Sequence, residues 1–280
     1  MIVTKEWFIH KINNFLENDV SNKMNKLDGS YIFEPNVVVG IVSGNDPIYI
    51  KYKEIIGEFH LTPSEAFNWY CSSQNKENSN QVLSVIAYIL PINQKTKTEN
   101  LIYSKSMPSE RWAHTRLFGE QANMNIQQHL VDELRKLGID AFAPTLENKL
   151  FKINRKIWAS NWSHRHSCFA AGLGSFGLSD GFINSQGKAM RCGSIIVNIE
   201  LPSDAKNRPS DPYEYCIKCG DCITRCPVKA ISYEKFHNKM ICSEHVMGTI
   251  PYINKNYGIN IYACGLCQVG VSCSDGIPKN

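Results

Sequence analysis

From Tyr215 the chain reads YCIKCGDCITRCPVKAI, which sets Cys216, Cys219, Cys222 and Cys226 as C-x2-C-x2-C-x3-C followed by Pro227. Three thiolates this close together in a tight loop can each reach a different iron of one cubane. The fourth, pointed away by the intervening residues and the proline, ligates a second 4Fe-4S cluster. Zinc ribbons use cysteine pairs separated by longer loops, so a structural zinc site does not suit four cysteines in so short a run. A crossing fourth ligand requires a second set, and Cys242, Cys264, Cys267 and Cys273 supply it. By the crossing rule, Cys216, Cys219 and Cys222 share one cluster with Cys273, and Cys226 joins Cys242, Cys264 and Cys267 on the other. The second set has its own spacing: 21 residues separate Cys242 from Cys264, and Cys267 and Cys273 stand as C-x5-C. Cys71, Cys168 and Cys192 carry no such pattern and are expected to pack as small buried apolar residues.

A second concentration of reactive side chains is ASNWSHRHSCFAAGLGSFG, in which Ser160 to His166 precede Ala171-Gly172-Leu173-Gly174. Asn161, Ser163 and His164, with Gly172 and Gly174 allowing close backbone approach, are the candidates for holding a cofactor. Histidine titrates near neutral pH and could serve as a proton donor beside a redox centre. The spacing G-x-G-x-x-G at Gly172, Gly174 and Gly177 follows a predicted helix, whereas the dinucleotide fingerprint requires a preceding strand. Arg111, Trp112, His114 and Arg116 form another polar-aromatic patch, expected on a solvated helix face.

Buried strands and amphipathic helices must position these groups. Val37–Val42, Val82–Leu90 and Gly193–Leu201 read as buried strands by their β-branched, apolar content, the last two closed by proline, and suggest a sheet covered on both faces. Phe118, Ala122, Ile126, Leu130, Leu134 and Leu137 recur at helical spacing. Pro108-Ser109-Glu110 provides a start and Gly138 a C-cap. A shorter helix is expected around Ser163–Ala171. Pro202–Pro212, polar and rich in proline and serine, marks a boundary. The expected fold is therefore α+β or α/β: a mixed domain over residues 1–205 for cofactor or substrate, then a small ferredoxin-like domain over 206–280 holding two 4Fe-4S clusters.

With 280 residues, 43% of them hydrophobic, the chain can bury a substantial core, and a net charge of +4 spread along it offers no nucleic-acid stripe. The first residues contain no apolar run of signal-peptide length, and no segment approaches a membrane span. A cytoplasmic location is expected, where eleven cysteines point to metal rather than to disulfides.

Taken together, the A-G-L-G turn at Ala171–Gly174, the glycine-bearing strand at Gly193, the proline-rich joint and C-x2-C-x2-C-x3-C-P, with Cys242 alone ahead of a final C-x2-C, resemble the corrinoid-dependent iron-sulfur reductases. That family includes epoxyqueuosine reductase and the reductive dehalogenases, and the resemblance covers roughly residues 80–273. It implies an α/β domain of nitroreductase-like or cobalamin-binding-like kind, cobalamin beside the proximal cluster, and electrons passing from the distal cluster through the proximal one to cobalt. In epoxyqueuosine reductase an aspartate upstream of A-G-L-G is the proton donor; Trp158–Ala171 here contains no aspartate or glutamate, and Asn161, Ser163 and His164 occupy that neighbourhood. The expected function is an iron-sulfur oxidoreductase fed by a donor such as ferredoxin or flavodoxin, acting on a small molecule or a corrinoid partner. A ferredoxin-like carrier serving a partner enzyme is the alternative, and a tRNA reductase a more distant one.

Overall fold

The computed structural model describes residues 2–77, 82–103 and 105–279. The elements of the first half are α1 (Lys5–Asn18), β1 (Val38–Ser43), α2 (Ile48–Ile56), α3 (Pro63–Ser73), β2 (Ser84–Pro91), α4 (Gln94–Ile102), α5 (Glu110–Lys136) and β3 (Ala141–Phe142). Then come the hairpin β4 (Ile153–Asn154) and β5 (Ala159–Ser160), α6 (His164–Ala170), the hairpin β6 (Gly174–Phe176) and β7 (Phe182–Asn184), and β8 (Met190–Val197). The cysteine region adds α7 (Asp221–Thr224), β9 (Ile231–Ser232), β10 (Phe236–His237), α8 (Lys239–Gly248) and α9 (Ile250–Tyr257).

The main sheet has the order β1-β2-β8-β3 and every pairing in it is antiparallel. The three apolar runs read from sequence are its three long strands, and they are continuous because helices cover both faces. Val39, Ile41, Ile86, Tyr88 and Ile195 point into one core with α1 and α5, while Val85, Ala87, Ile89 and Ile196 point into the other with α2, α3 and α6. Mixed helix and strand around an antiparallel sheet is the α+β member of the two expected classes.

α5 begins where Ser109 Oγ accepts the Trp112 amide at 3.2 Å, and Gly138, at φ +76°, follows its end. Its middle is clamped to the sheet: Tyr88 donates to Asn123 Oδ1 at 2.9 Å, and Asn123 donates to the Cys192 carbonyl at 3.1 Å. Gly193 makes room for this, since a Cβ there would stand 2.1 Å from the Tyr88 ring.

The joint Pro202–Pro212 is held, not loose. Asp204 accepts from Lys5 Nζ at 2.8 Å and from the Ile41 amide at 3.0 Å, and Arg208 pairs with Asp46 and donates to the Ala170 carbonyl at 3.1 Å. Apolar packing also crosses residue 205. Ile253, Ile259, Ala263 and Val269 belong to the α1–α5 core, and Leu178 and Ile183 pack with Ile231, Val271, Cys222 and Cys273.

Candidate metal centre and adjoining cavity

The four cysteines of the first predicted set converge. Cys216, Cys219, Cys222 and Cys273 line one hollow, together with Leu178, Ile183, Val271 and Lys188. The hairpin β6–β7 delivers Leu178 and Ile183, so the hollow is walled by both parts of the chain. The other four are also neighbours: burial pushes the Cys264 thiol up to about 12, and Cys267, Cys242 and Cys226 add to it through their charges. Burial likewise raises Cys242 to about 11, with Cys267 and Cys226 as its charged neighbours. Cys222 is raised to about 11 by burial against the pull of Lys188, and it feels Cys267 as well as Cys273 and Cys216, so the two groups lie side by side.

These surroundings fit cubanes. Buried thiols resist ionising until a metal takes them as thiolates. A cubane spreads its thiolates over four separate corners, as the lining of the hollow by Cys216, Cys219, Cys222 and Cys273 allows. The backbone supports the same geometry: the Ala230 amide donates to Cys226 Sγ at 3.2 Å, and Gly220 and Gly265 turn the loops at φ +86° and +68°. At Gly265 a Cβ would lie 1.9 Å from the Trp112 ring, so α5 seats its indole directly on the Cys264–Cys267 loop.

Beside the cysteines lies a cavity of about 530 Å³, of the size that takes a small molecule. Glu120, Ser163, His164, Lys188, Arg191 and Gln268 are among its walls. Lys188 lines both this cavity and the cysteine hollow, and Gln268 adjoins Cys267. Glu120 pairs with Arg191 at 3.3 Å and Arg116 at 3.4 Å. Burial pushes Glu120 up, but the two guanidinium groups outweigh it and hold the carboxyl below its usual range.

His164 is held at both nitrogens. Nδ1 lies 2.8 Å from Ser194 Oγ, which also accepts from Trp162 Nε1 at 3.0 Å, and Nε2 lies 3.3 Å from Thr145 Oγ1, which donates to Gln127 Oε1 at 2.8 Å. One assignment satisfies every group: Ser194 donates to Nδ1 and Nε2–H donates to Thr145, leaving a neutral imidazole. Burial agrees, pushing His164 down to about 4.

Of the residues singled out from sequence, Ser163 and His164 face the cavity. Asn161 instead clips the preceding loop, donating to the Leu150 carbonyl and accepting the Lys152 amide, both at 2.9 Å. Gly172 and Gly174 are glycine for packing: at φ +72° the first abuts the backbone at Asn207, and a Cβ on the second would lie 2.1 Å from the Ile183 carbonyl. His166 points to the opposite side of α6, into a cavity of about 690 Å³ that shares Ser160, Ser163 and Arg165 with the first. Cys71, Cys168 and Cys192 are buried as expected.

The Arg111–Arg116 patch is a correction: Arg111, Trp112 and His114 are buried rather than solvated. Arg111 binds Asp28 at 2.7 Å and Glu99 at 3.2 Å, and Arg116 donates to Tyr262 Oη at 2.7 Å, because α4 and the C-terminal segment cover the start of α5. Glu120, Lys188, Arg191 and Gln268 escaped sequence reading. The nearest signal was Gln268 following Cys267.

Residues 212–232 match the 4Fe-4S binding domain family. Curated protein sequences gave no match. Among solved structures, the fold is similar to epoxyqueuosine reductase from Streptococcus thermophilus, with TM-score 0.54 and 14% identity over 97% of this chain and 67% of that one. It is equally similar to the catabolic reductive dehalogenase NpRdhA in complex with 3-bromo-4-hydroxybenzoic acid, with TM-score 0.54 and 14% identity over 98% of this chain and 37% of that one. Against an epoxyqueuosine reductase from Bacillus subtilis the TM-score is 0.48 at 15% identity, covering 87% of this chain and 63% of that one. The chain thus spans about two thirds of the epoxyqueuosine reductases and just over a third of the dehalogenase, and what it shares with the Streptococcus thermophilus enzyme and the dehalogenase at these identities is the fold. Among the described residues no helix is long and apolar enough to cross a membrane.

Proposed function

We propose that the protein is an iron-sulfur reductase that passes single electrons through two 4Fe-4S clusters to an acceptor bound in the 530 Å³ cavity. Cys216, Cys219, Cys222 and Cys273 hold one cluster, and Cys226, Cys242, Cys264 and Cys267 the other. The observation that carries this reading is the shared wall: Lys188 lines both the cysteine hollow and the cavity, and Gln268 continues that wall from Cys267. An electron carrier needs only a flat face near its cluster. A walled cavity with convergent polar groups supports an enzyme.

In this reading residues 1–205 form the acceptor domain and residues 206–280 the cluster domain, with a small protein such as ferredoxin or flavodoxin as electron donor. Arg191, oriented by Glu120, and Ser163 position the acceptor. Glu120 stays ionised and His164 neutral with both nitrogens engaged, so neither is a ready acid. Trp158–Ala171 contains no carboxylate to take the role.

Cobalamin is the cofactor that the sequence resemblance to corrinoid-dependent iron-sulfur reductases suggests, and when bound it would supply a metal centre reducible in one-electron steps. His164 offers it no free nitrogen. The 690 Å³ cavity shares Ser160, Ser163 and Arg165 as lining with this one, on the other side of α6. Ser163, Arg165 and Arg191 are the residues that would hold its polar groups.

Reduced, cluster-loaded protein mixed anaerobically with cob(III)alamin tests the proposal. Wild type is expected to bleach the cob(III)alamin spectrum at least tenfold faster than Ser163→Trp, which puts an indole at a wall of the cavity while leaving all eight cysteines in place. Equal rates at equal iron content would mean that the cavity is not where electrons leave.

A further inference from the structure

Lys188 is 2% exposed, an unusual position for an ammonium. Four features fix it there. Its amide donates to the Cys273 carbonyl at 2.9 Å, and its Nζ donates to Ser179 Oγ at 2.9 Å. Its stem lies over Gly181, where a Cβ would come within 2.5 Å of Lys188 Cδ. The preceding Gly187, at φ +89°, lies so close to the Ser274 carbonyl that a Cβ would stand 2.1 Å away. Among the described residues no carboxylate forms an ion pair with it; the Cys222 and Cys273 thiols share its hollow, and its charge also reaches Cys267 and Asp221.

A buried cation with no ion-paired carboxylate is costly unless another negative charge compensates it. Clusters ligated by four thiolates carry that charge, and they carry one unit more when reduced. Cluster potentials are set by local charge and by hydrogen bonds to the sulfurs. Lys188 supplies the charge, beside Cys222 and Cys273 in the hollow and at the wall facing the cavity.

We infer that Lys188 is a positioning residue that stabilises the reduced clusters, above all the one on Cys273, and so raises their midpoint potentials at the point where electrons leave for the cavity. The electron comes from the external donor, no bond forms or breaks, and the fixed ammonium offsets the added charge. This rests on the cluster assignment proposed above.

Anaerobic redox titration followed by electron paramagnetic resonance, with iron and sulfide measured on each sample, tests it. At a fixed poise, Lys188→Gln is expected to lower the reduced-to-oxidised ratio of one cluster about tenfold, a midpoint shift of about 59 mV downward for a one-electron couple. Lys188→Arg is expected to return most of it. Unchanged midpoints in fully loaded Lys188→Gln would overturn the inference. Should that variant lose iron, Ser179→Ala, which frees the ammonium without removing it, is expected to shift the same cluster downward by a smaller factor, and no shift would overturn it. Wild type without iron would overturn the cluster assignment itself, and this inference with it.

Discussion

At the scale of single residues, the cysteines divide by their neighbours. Cys273 closes the hollow formed by Cys216, Cys219 and Cys222, so Cys273→Ser is expected to lose about half of the bound iron, and Cys71→Ser none. Iron and sulfide analysis of the two variants checks this. The buried histidines make a separate prediction. Burial pushes His166 down to about 3, and charge from Arg165 and His60 pushes in the same direction, against an ordinary value of 6.5. The unfolded chain therefore binds more protons below about pH 6.5. Stability from the neutral imidazole is full above that pH and is lost as pH falls toward 3, at about 1.4 kcal/mol per unit. His166→Phe should flatten the fall of melting temperature between pH 6.5 and 5, and a slope equal to wild type would count against a neutral buried His166. The cysteine pattern was legible because the spacing of thiolates around a cubane is written in consecutive residues. Lys188 was not, because its burial comes from the β6–β7 hairpin folding against a loop that begins about eighty residues later.

At the scale of elements, the three long strands could be read from sequence since helices on both faces demand uninterrupted apolar runs. α5 was readable along Ala122, Ile126, Leu130 and Leu134, all fully buried. Its first turns were misread: a local pattern cannot show that α4 and the C-terminal segment cover Arg111–Arg116. The same contact makes Gly265 critical. Gly265→Ala must place a methyl where the Trp112 ring stands and adopt φ +68°, so it is expected to cost on the order of 1–3 kcal/mol and to displace the Cys264–Cys267 loop. Thermal unfolding and iron content measure the two effects. Trp112→Ala in the same background should recover part of the iron.

At the scale of the molecule, composition marks a joint at Pro202–Pro212, while side-chain packing runs across it. Ile253, Ile259, Ala263 and Val269 would be exposed if residues 206–280 were separated from the α1–α5 core. That fragment is expected to aggregate or to bind well under half of the iron of the whole chain, by size exclusion and iron analysis. The same union brings Gln268 to the wall of a cavity otherwise lined by residues 1–205, and no sequence motif announces it.

The central claim is two clusters serving a ligand cavity. Its most direct test is anaerobic purification with cobalamin supplied, followed by iron, sulfide and cobalt analysis of one sample. About eight irons and eight sulfides per chain, with near-stoichiometric cobalt that Ser163→Trp abolishes, is the predicted result. Four irons or fewer in intact protein would contradict the cluster assignment. Eight irons with no cobalt, and no transfer from the reduced clusters to any small acceptor, would contradict the cavity's role and leave an electron carrier.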